Sequence, residues 1–272
     1  MLLPRLITAL LLIPPVLAAV WFLPTPWLVL LFGAFTMVGA WEWTALMKLQ
    51  SPLERAGYVL LVGLLGLGSY AGLQNPAIAQ GVLLLAALWW LAAFMWILQY
   101  PKGLPENERR VPLKAVVGLL VLVPAIPSIA LLHGRFGPAW VLVLFLVIWA
   151  ADTGAYFAGR SLGRHKLAPR VSPGKTWEGF VGGVIAGAAI GVIAALLFAE
   201  LNIAYWLFGA CCAVVVMASV VGDLTESMFK RHASIKDSGT LFPGHGGVLD
   251  RLDSLFAATP IFVLLLQMLA HV

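Results

Sequence analysis

The chain is expected to be an all-α, polytopic integral membrane protein with about nine transmembrane helices. Three observations predict this. Of 272 residues, 61% are hydrophobic and only 11% are charged, whereas soluble domains carry roughly a quarter charged residues. The mean hydropathy is +0.97, so lipid must be the solvent for most of the apolar surface. Apolar stretches long enough to cross about 30 Å of hydrocarbon recur from one end of the sequence to the other.

Taken in order, the expected spans are 5–23, 27–47, 57–73, 77–99, 113–132, 138–158, 179–199, 203–222 and 254–270. The first carries Arg5 but closes on Trp21-Phe22-Leu23 with no small-x-small site, so it reads as a retained helix rather than a cleaved leader. Pro14 and Pro15 kink it, and Pro124 and Pro127 kink the fifth, which neighbouring helices can tolerate. The third is short. The seventh carries Gly179, Gly183, Gly187 and Gly191, a spacing that admits another helix backbone closely, either within the bundle or across a dimer contact. Residues 1–140 hold the first five spans and 141–272 the last four, together one membrane unit.

Sidedness follows from the charges. With the N-terminus inside, 16 of the 17 Lys and Arg residues fall on inside segments, and only Arg135 falls outside. The net charge of +5 therefore reports orientation and contact with anionic lipid, not nucleic acid. The expected location is a bacterial inner membrane, with the N-terminus and both long polar segments, 159–178 and 223–253, cytoplasmic. Cys211 and Cys212 are adjacent in an apolar run and are read as packing residues, not as a disulfide or metal knuckle.

Seven of the twelve acidic residues bound or lie within those two segments: Asp152, Glu178, Asp223, Glu226, Asp237, Asp250 and Asp253. Asp152 follows an apolar run, where an unpaired charge costs roughly 2.5–3.5 kcal/mol, so a cation or a wet cavity should adjoin it. Asp223 and Glu226 are three apart on one helix face, as are Asp250 and Asp253. Hard oxygen ligands of this kind suit Mg²⁺, which takes one or two carboxylates and leaves positions for phosphate oxygens. Simple pairing with nearby Lys and Arg is the plain alternative. Glu42, between Trp41 and Trp43, reads equally well as a functional carboxylate or as a structural hydrogen-bonding group. Lys230, Arg231, Lys236 and Arg251 supply cations, while Gly239, Gly244, Gly246 and Gly247 around His245 allow close approach to an anion. The Gly-Lys-Thr at 174–176 is not a P-loop, because Pro169 stands where that loop needs its first glycine. Carboxylates and phosphate-binding cations at headgroup depth point to phosphoryl or nucleotidyl transfer on a lipid.

Three segments sharpen this: ADTGAYFAGR at 151–160, SPGKTWEG at 172–179, and the run from Ser227 through Lys230-Arg231 and Lys236-Asp237-x-Gly239 to PGHGGxxDRxD at 243–253. Together they resemble the signature of the phosphatidate cytidylyltransferase (CDP-diacylglycerol synthase) family. The first 140 residues match it in hydropathy rather than in motif. The resemblance implies CTP and phosphatidate as substrates, CDP-diacylglycerol and pyrophosphate as products, Mg²⁺ as cofactor and a homodimer. A second, monovalent cation is a further expectation. Carried over residue by residue, it makes Asp223 and Asp250 the leading metal ligands, with Glu226, Asp237 and Asp253 in support. Lys230, Arg231, Lys236, His245 and Arg251 would hold the triphosphate. Asp152, Arg160 and Lys175 would complete the site, which Ser227, Gly246 and Gly247 also line. A CTP-dependent polyprenol kinase would use similar parts. A transporter is the non-enzymatic rival, although no internal repeat of the kind many transporters show is found.

Overall fold

Long apolar runs leave the backbone no water to bond with, so each span closes its hydrogen bonds within itself as a helix. In the computed structural model, which describes residues 13–99, 110–198, 204–241 and 246–270, that outcome holds throughout. The helices are α1 (Ile13–Phe22), α2 (Thr25–Leu46), α3 (Pro52–Ala71), α4 (Pro76–Gln99), α5 (Val111–Leu122), α6 (Ala125–Leu131), α7 (Pro138–Leu162), α8 (Trp177–Leu197), α9 (Tyr205–Ala233) and α10 (Leu249–Ala270). Eight spans among the described residues are long and apolar enough to cross a membrane, with α5 and α6 counted together. This is a multi-pass membrane protein.

The ends of the helices are set by local chemistry. Ser51 accepts the Glu54 N–H ahead of α3, with Pro52 in the first turn. Thr176 Oγ1 accepts the Gly179 N–H at 3.1 Å and starts α8. Pro124 breaks the expected fifth span into α5 and α6, and the Ser128 hydroxyl takes up the Pro124 carbonyl at 2.6 Å. The expected short third span, 57–73, is longer than read, since α3 starts at Pro52, and a 3₁₀ turn at Gly72–Gln74 closes it.

The two long polar segments are shorter as loops than expected. Helix α9 runs on to Ala233, and ends where Ser234 adopts φ 61° and its N–H bonds the Arg231 carbonyl. Asp223, Glu226, Ser227 and Lys230 are therefore helical. They bond along the helix, Ser227 to Asp223 and Lys230 to Glu226, so polarity does not end it. Helix α7 likewise reaches Leu162. Between α7 and α8 lies a small antiparallel hairpin, β1 (Lys166–Ala168) with β2 (Ser172–Thr176), pairing Lys166 with Thr176 and Ala168 with Ser172.

The glycine ladder is spent inside the bundle. A Cβ at Gly179 would sit 2.9 Å from the Ala155 carbonyl, and one at Gly183 2.8 Å from the Ala151 carbonyl. Gly187 and Gly191 face Val216 and Cys212 of α9. The four glycines let α8 nest between α7 and α9, so the ladder is not free for a dimer contact.

Candidate active site

One end of the bundle gathers the polar chemistry. Lys114 Nζ donates to the Leu46 carbonyl at 3.0 Å, Arg55 Nε donates to Thr44 Oγ1 at 2.7 Å, and Arg231 Nε donates to the Val171 carbonyl at 3.2 Å. The C-terminal ends of α2, α7 and α9 and the N-terminal ends of α3, α5, α8 and α10 thus meet. These are the segments that the charge asymmetry assigned to one side.

A cleft of about 410 Å³ opens here between α7, the hairpin, α8 and α9. Asp152, Tyr156 and Arg160 line it from α7, Lys175 from β2, and Asp223 from α9. Lys175 Nζ meets Asp223 Oδ2 at 2.6 Å, with both side chains about one-third exposed, and Ser227 donates to Asp223 Oδ1 at 3.2 Å. Arg160 donates to the Tyr156 hydroxyl at 2.7 Å. Asp152 lies within electrostatic range of Lys175 and Arg251, the cations that its place in an apolar run required, and also of the Asp223 carboxylate. The cleft shares Leu167, Phe180 and Val220 with an apolar cavity of about 840 Å³ between α4, the hairpin and α8–α9.

A second, buried cluster adjoins it. Lys230 Nζ bridges Glu226 Oε1 at 2.9 Å and Asp250 Oδ1 at 2.5 Å. Asp250 Oδ2 accepts the Ser238 N–H at 2.9 Å, the Ser238 hydroxyl at 2.9 Å and the Gly247 N–H at 2.8 Å. Gly246, at φ 80°, packs so closely that a Cβ would stand 2.5 Å from Asp250. Asp253 is within range of Asp223, Lys175 and Lys230, and shares a small cavity with Glu226.

These clusters unite Asp152, Arg160, Lys175, Asp223, Glu226, Ser227, Lys230, Gly246, Gly247, Asp250, Arg251 and Asp253. Arg231 instead ties α9 to the hairpin. Lys236 and Asp237 are exposed on the connector, and Arg251 also borders an apolar cavity of about 280 Å³ between α1, α2, α7 and α10. His245 lies outside the described residues. Sequence reasoning passed over Ser238 and Tyr156; the signal available was Ser238 inside the Lys-Asp-Ser-Gly run and Tyr156 one turn before Arg160.

The carboxylates fit a divalent cation, though not all of them equally. Asp152, Asp223, Glu226, Asp250 and Asp253 share these clusters with Arg160, Lys175, Lys230 and Arg251, which leaves formally one negative charge in excess. Glu226 Oε1 meets the Lys230 ammonium at 2.9 Å, and its Oε2 is buried with no donor. Among the described residues no three such side chains converge as a ready cage. Mg²⁺ typically needs one or two protein carboxylates beside phosphate and water, and Asp223, on the open cleft, is placed to be one. Asp250 has its lone pairs committed to Lys230, Ser238 and Gly247.

With the geometry in hand, comparison with known proteins is specific. A family described as the cytidylyltransferase family matches residues 3–269. The chain is 42% identical over 267 residues to a phosphatidate cytidylyltransferase of Pseudomonas aeruginosa, covering 98% of this chain and 97% of that protein. It is 39% identical over 286 aligned residues to one of Haemophilus influenzae, covering 96% and 97%. A Staphylococcus saprophyticus phosphatidate cytidylyltransferase is 48% identical over 130 residues, about half of each chain.

Proposed function

The chain belongs to the cytidylyltransferase family, and on that premise we propose that it transfers the cytidylyl group of CTP to phosphatidate, giving CDP-diacylglycerol and pyrophosphate in phospholipid synthesis. The observation that carries this reading is the contact between a charged cleft and an apolar cavity. The cleft of about 410 Å³, lined by Asp152, Arg160, Lys175 and Asp223, shares a wall with a cavity of about 840 Å³. A lipid with a phosphate head and acyl tails needs that pair of environments side by side.

In the reaction a phosphomonoester oxygen of the lipid attacks the α-phosphorus of CTP. A new P–O bond forms, the bond from the α-phosphorus to the β-bridging oxygen breaks, and pyrophosphate leaves with the electron pair. With a second pKa near 6, a phosphomonoester is largely dianionic at neutral pH, so the protein needs no strong base. Its task is positioning and charge neutralisation. Lys175 and Arg160 face the cleft to hold phosphate oxygens, and Arg251 on α10 lies within electrostatic range of Asp152. Lys230 neutralises charge from the α9 side. Asp223, with Asp253 near it, would hold Mg²⁺, whose contribution is to offset charge on the transferring phosphates. A monovalent cation is part of the same proposal, with Glu226 Oε2, which no donor reaches, as a candidate ligand.

The site is assigned to the cytoplasmic face of a bacterial inner membrane, where CTP is available. The assembly is taken as a homodimer through a face other than the glycine ladder. The test is incubation of the purified protein in detergent with radiolabelled CTP, phosphatidate and Mg²⁺. Formation of a CDP-lipid with equimolar pyrophosphate is expected. Transfer of only the γ-phosphate would shift the reading to a lipid kinase, and no turnover of CTP would overturn it.

A further inference from the structure

Glu42 takes no part in the chemistry just described, yet it is 7% exposed and fully engaged. Its Oε1 accepts the Val248 N–H at 3.0 Å, and its Oε2 accepts the Leu249 N–H at 2.7 Å and the Ser238 hydroxyl at 3.0 Å. The two amides open α10, where backbone N–H groups have no partner within the helix and the dipole favours an anion. A helix usually receives its cap from the residue just before it. Here that residue is Val248, which has no side-chain acceptor, and the cap comes instead from α2, 206 and 207 positions earlier in sequence than the two amides it binds.

The connector is shaped around this carboxylate. A Cβ at Gly239 or Gly247 would overlap Glu42 oxygens, and at Gly247 the three nearest atoms all belong to Glu42. The same connector delivers the Ser238 N–H, the Ser238 hydroxyl and the Gly247 N–H to Asp250, which in turn grips Lys230. Ser238 has one hydroxyl proton for two carboxylates; given to Glu42, it leaves the Ser238 N–H on Asp250, so this residue links the two.

We propose that Glu42 is a positioning residue: from α2 it anchors Ser238, Gly239 and the stretch 247–249, and through Ser238 and Asp250 it sets the Lys230 ammonium for the triphosphate. This rests on the nucleotidyl-transfer reading above, and the experiment separates the two. In Glu42→Gln, one amide of the pair must face an NH₂ group instead of an oxygen. Hydrogen exchange, measured without any substrate, is expected to quicken by about tenfold or more in 238–249 and stay unchanged in α8. Initial rates are expected to show kcat/KM for CTP down about 10²-fold, with KM for phosphatidate unchanged. A merely structural role would lower the active fraction and move neither KM. Gly247→Ala keeps Glu42 but pushes it from its seat, and should reproduce the CTP-specific defect. In a Glu42→Ala background, where the space is open, it should add nothing. Unchanged exchange, or faster exchange without a change for CTP, overturns the proposal. Loss of the fold in both Glu42→Gln and Gly247→Ala also overturns it, since positioning requires a folded protein with a selective defect. A wild-type protein that does not consume CTP sinks the function instead, and leaves the exchange result to judge the anchor.

Discussion

Two lysines on neighbouring elements show how burial separates function from stability. Lys175 and Asp223 meet at 2.6 Å with side chains 29% and 33% exposed, and pairs so open to solvent contribute roughly 0–1 kcal/mol. Lys175→Met or Asp223→Asn should therefore leave the melting curve in detergent nearly unmoved while lowering kcat/KM by about 10²–10³-fold. Lys230 is different. It is 10% exposed and flanked by Glu226 and Asp250, so Lys230→Met strands two buried carboxylates and should cost about 3–5 kcal/mol. A thermal melt alongside the rate assay distinguishes the two classes: a large melting shift in Lys175→Met, or none in Lys230→Met, would contradict this assignment. The identities of these charges were legible in the sequence because hydrophobic surroundings make every carboxylate conspicuous. What Asp250 does with its oxygens was not. Its partners Ser238 and Gly247 lie on the connector, whose path is set by Glu42 on a distant helix, and no local pattern encodes a contact across 196 residues.

At the scale of elements, apolar length and proline placement made nearly every span readable, including the break at Pro124. The hairpin at 166–176 was not readable. Strands of three and five residues, the second containing Pro173 and Gly174, carry no alternation to detect. It matters because β2 places Lys175 on the cleft and the turn before it places the Val171 carbonyl under Arg231. The ladder's spacing was legible but its partner was not, since small residues serve contacts within and between chains alike. In the structure it fixes the separation of α7 and α8, and hence of Asp152 and Lys175. Gly183→Val would drive a side chain into the Ala151 carbonyl, 2.8 Å from the Cβ position. Overpacking of that kind costs about 1–3 kcal/mol, and the forced shift of α8 should also lower the CTP rate. Gly68→Ala on α3, where nothing lies within 4 Å, is the control and should change neither the melt nor the rate.

For the molecule as a whole, the charge asymmetry and the contacts agree on which ends belong together. Segments 42–55, 110–114, 160–178, 231–241 and 246–251 converge through Lys114, Arg55, Glu42 and Arg231, while His133 bonds Thr25 and the Val20 carbonyl at the other end. Among the described residues the bundle therefore has one cationic, carboxylate-bearing end and one nearly uncharged end. Which end faces the cytoplasm is a question of insertion, governed by where Lys and Arg lie relative to the membrane potential and the translocation machinery. Single-cysteine labelling answers it. With Cys211 and Cys212 replaced by alanine, Ser161→Cys on the exposed last turn of α7 and Asn75→Cys at the exposed turn before α4 report opposite ends. In intact spheroplasts an impermeant maleimide should label Asn75→Cys and spare Ser161→Cys, and in inverted vesicles the pattern should reverse. If Ser161→Cys reacts from outside, CTP and the site stand on opposite sides of the membrane, and the proposed reaction cannot run there.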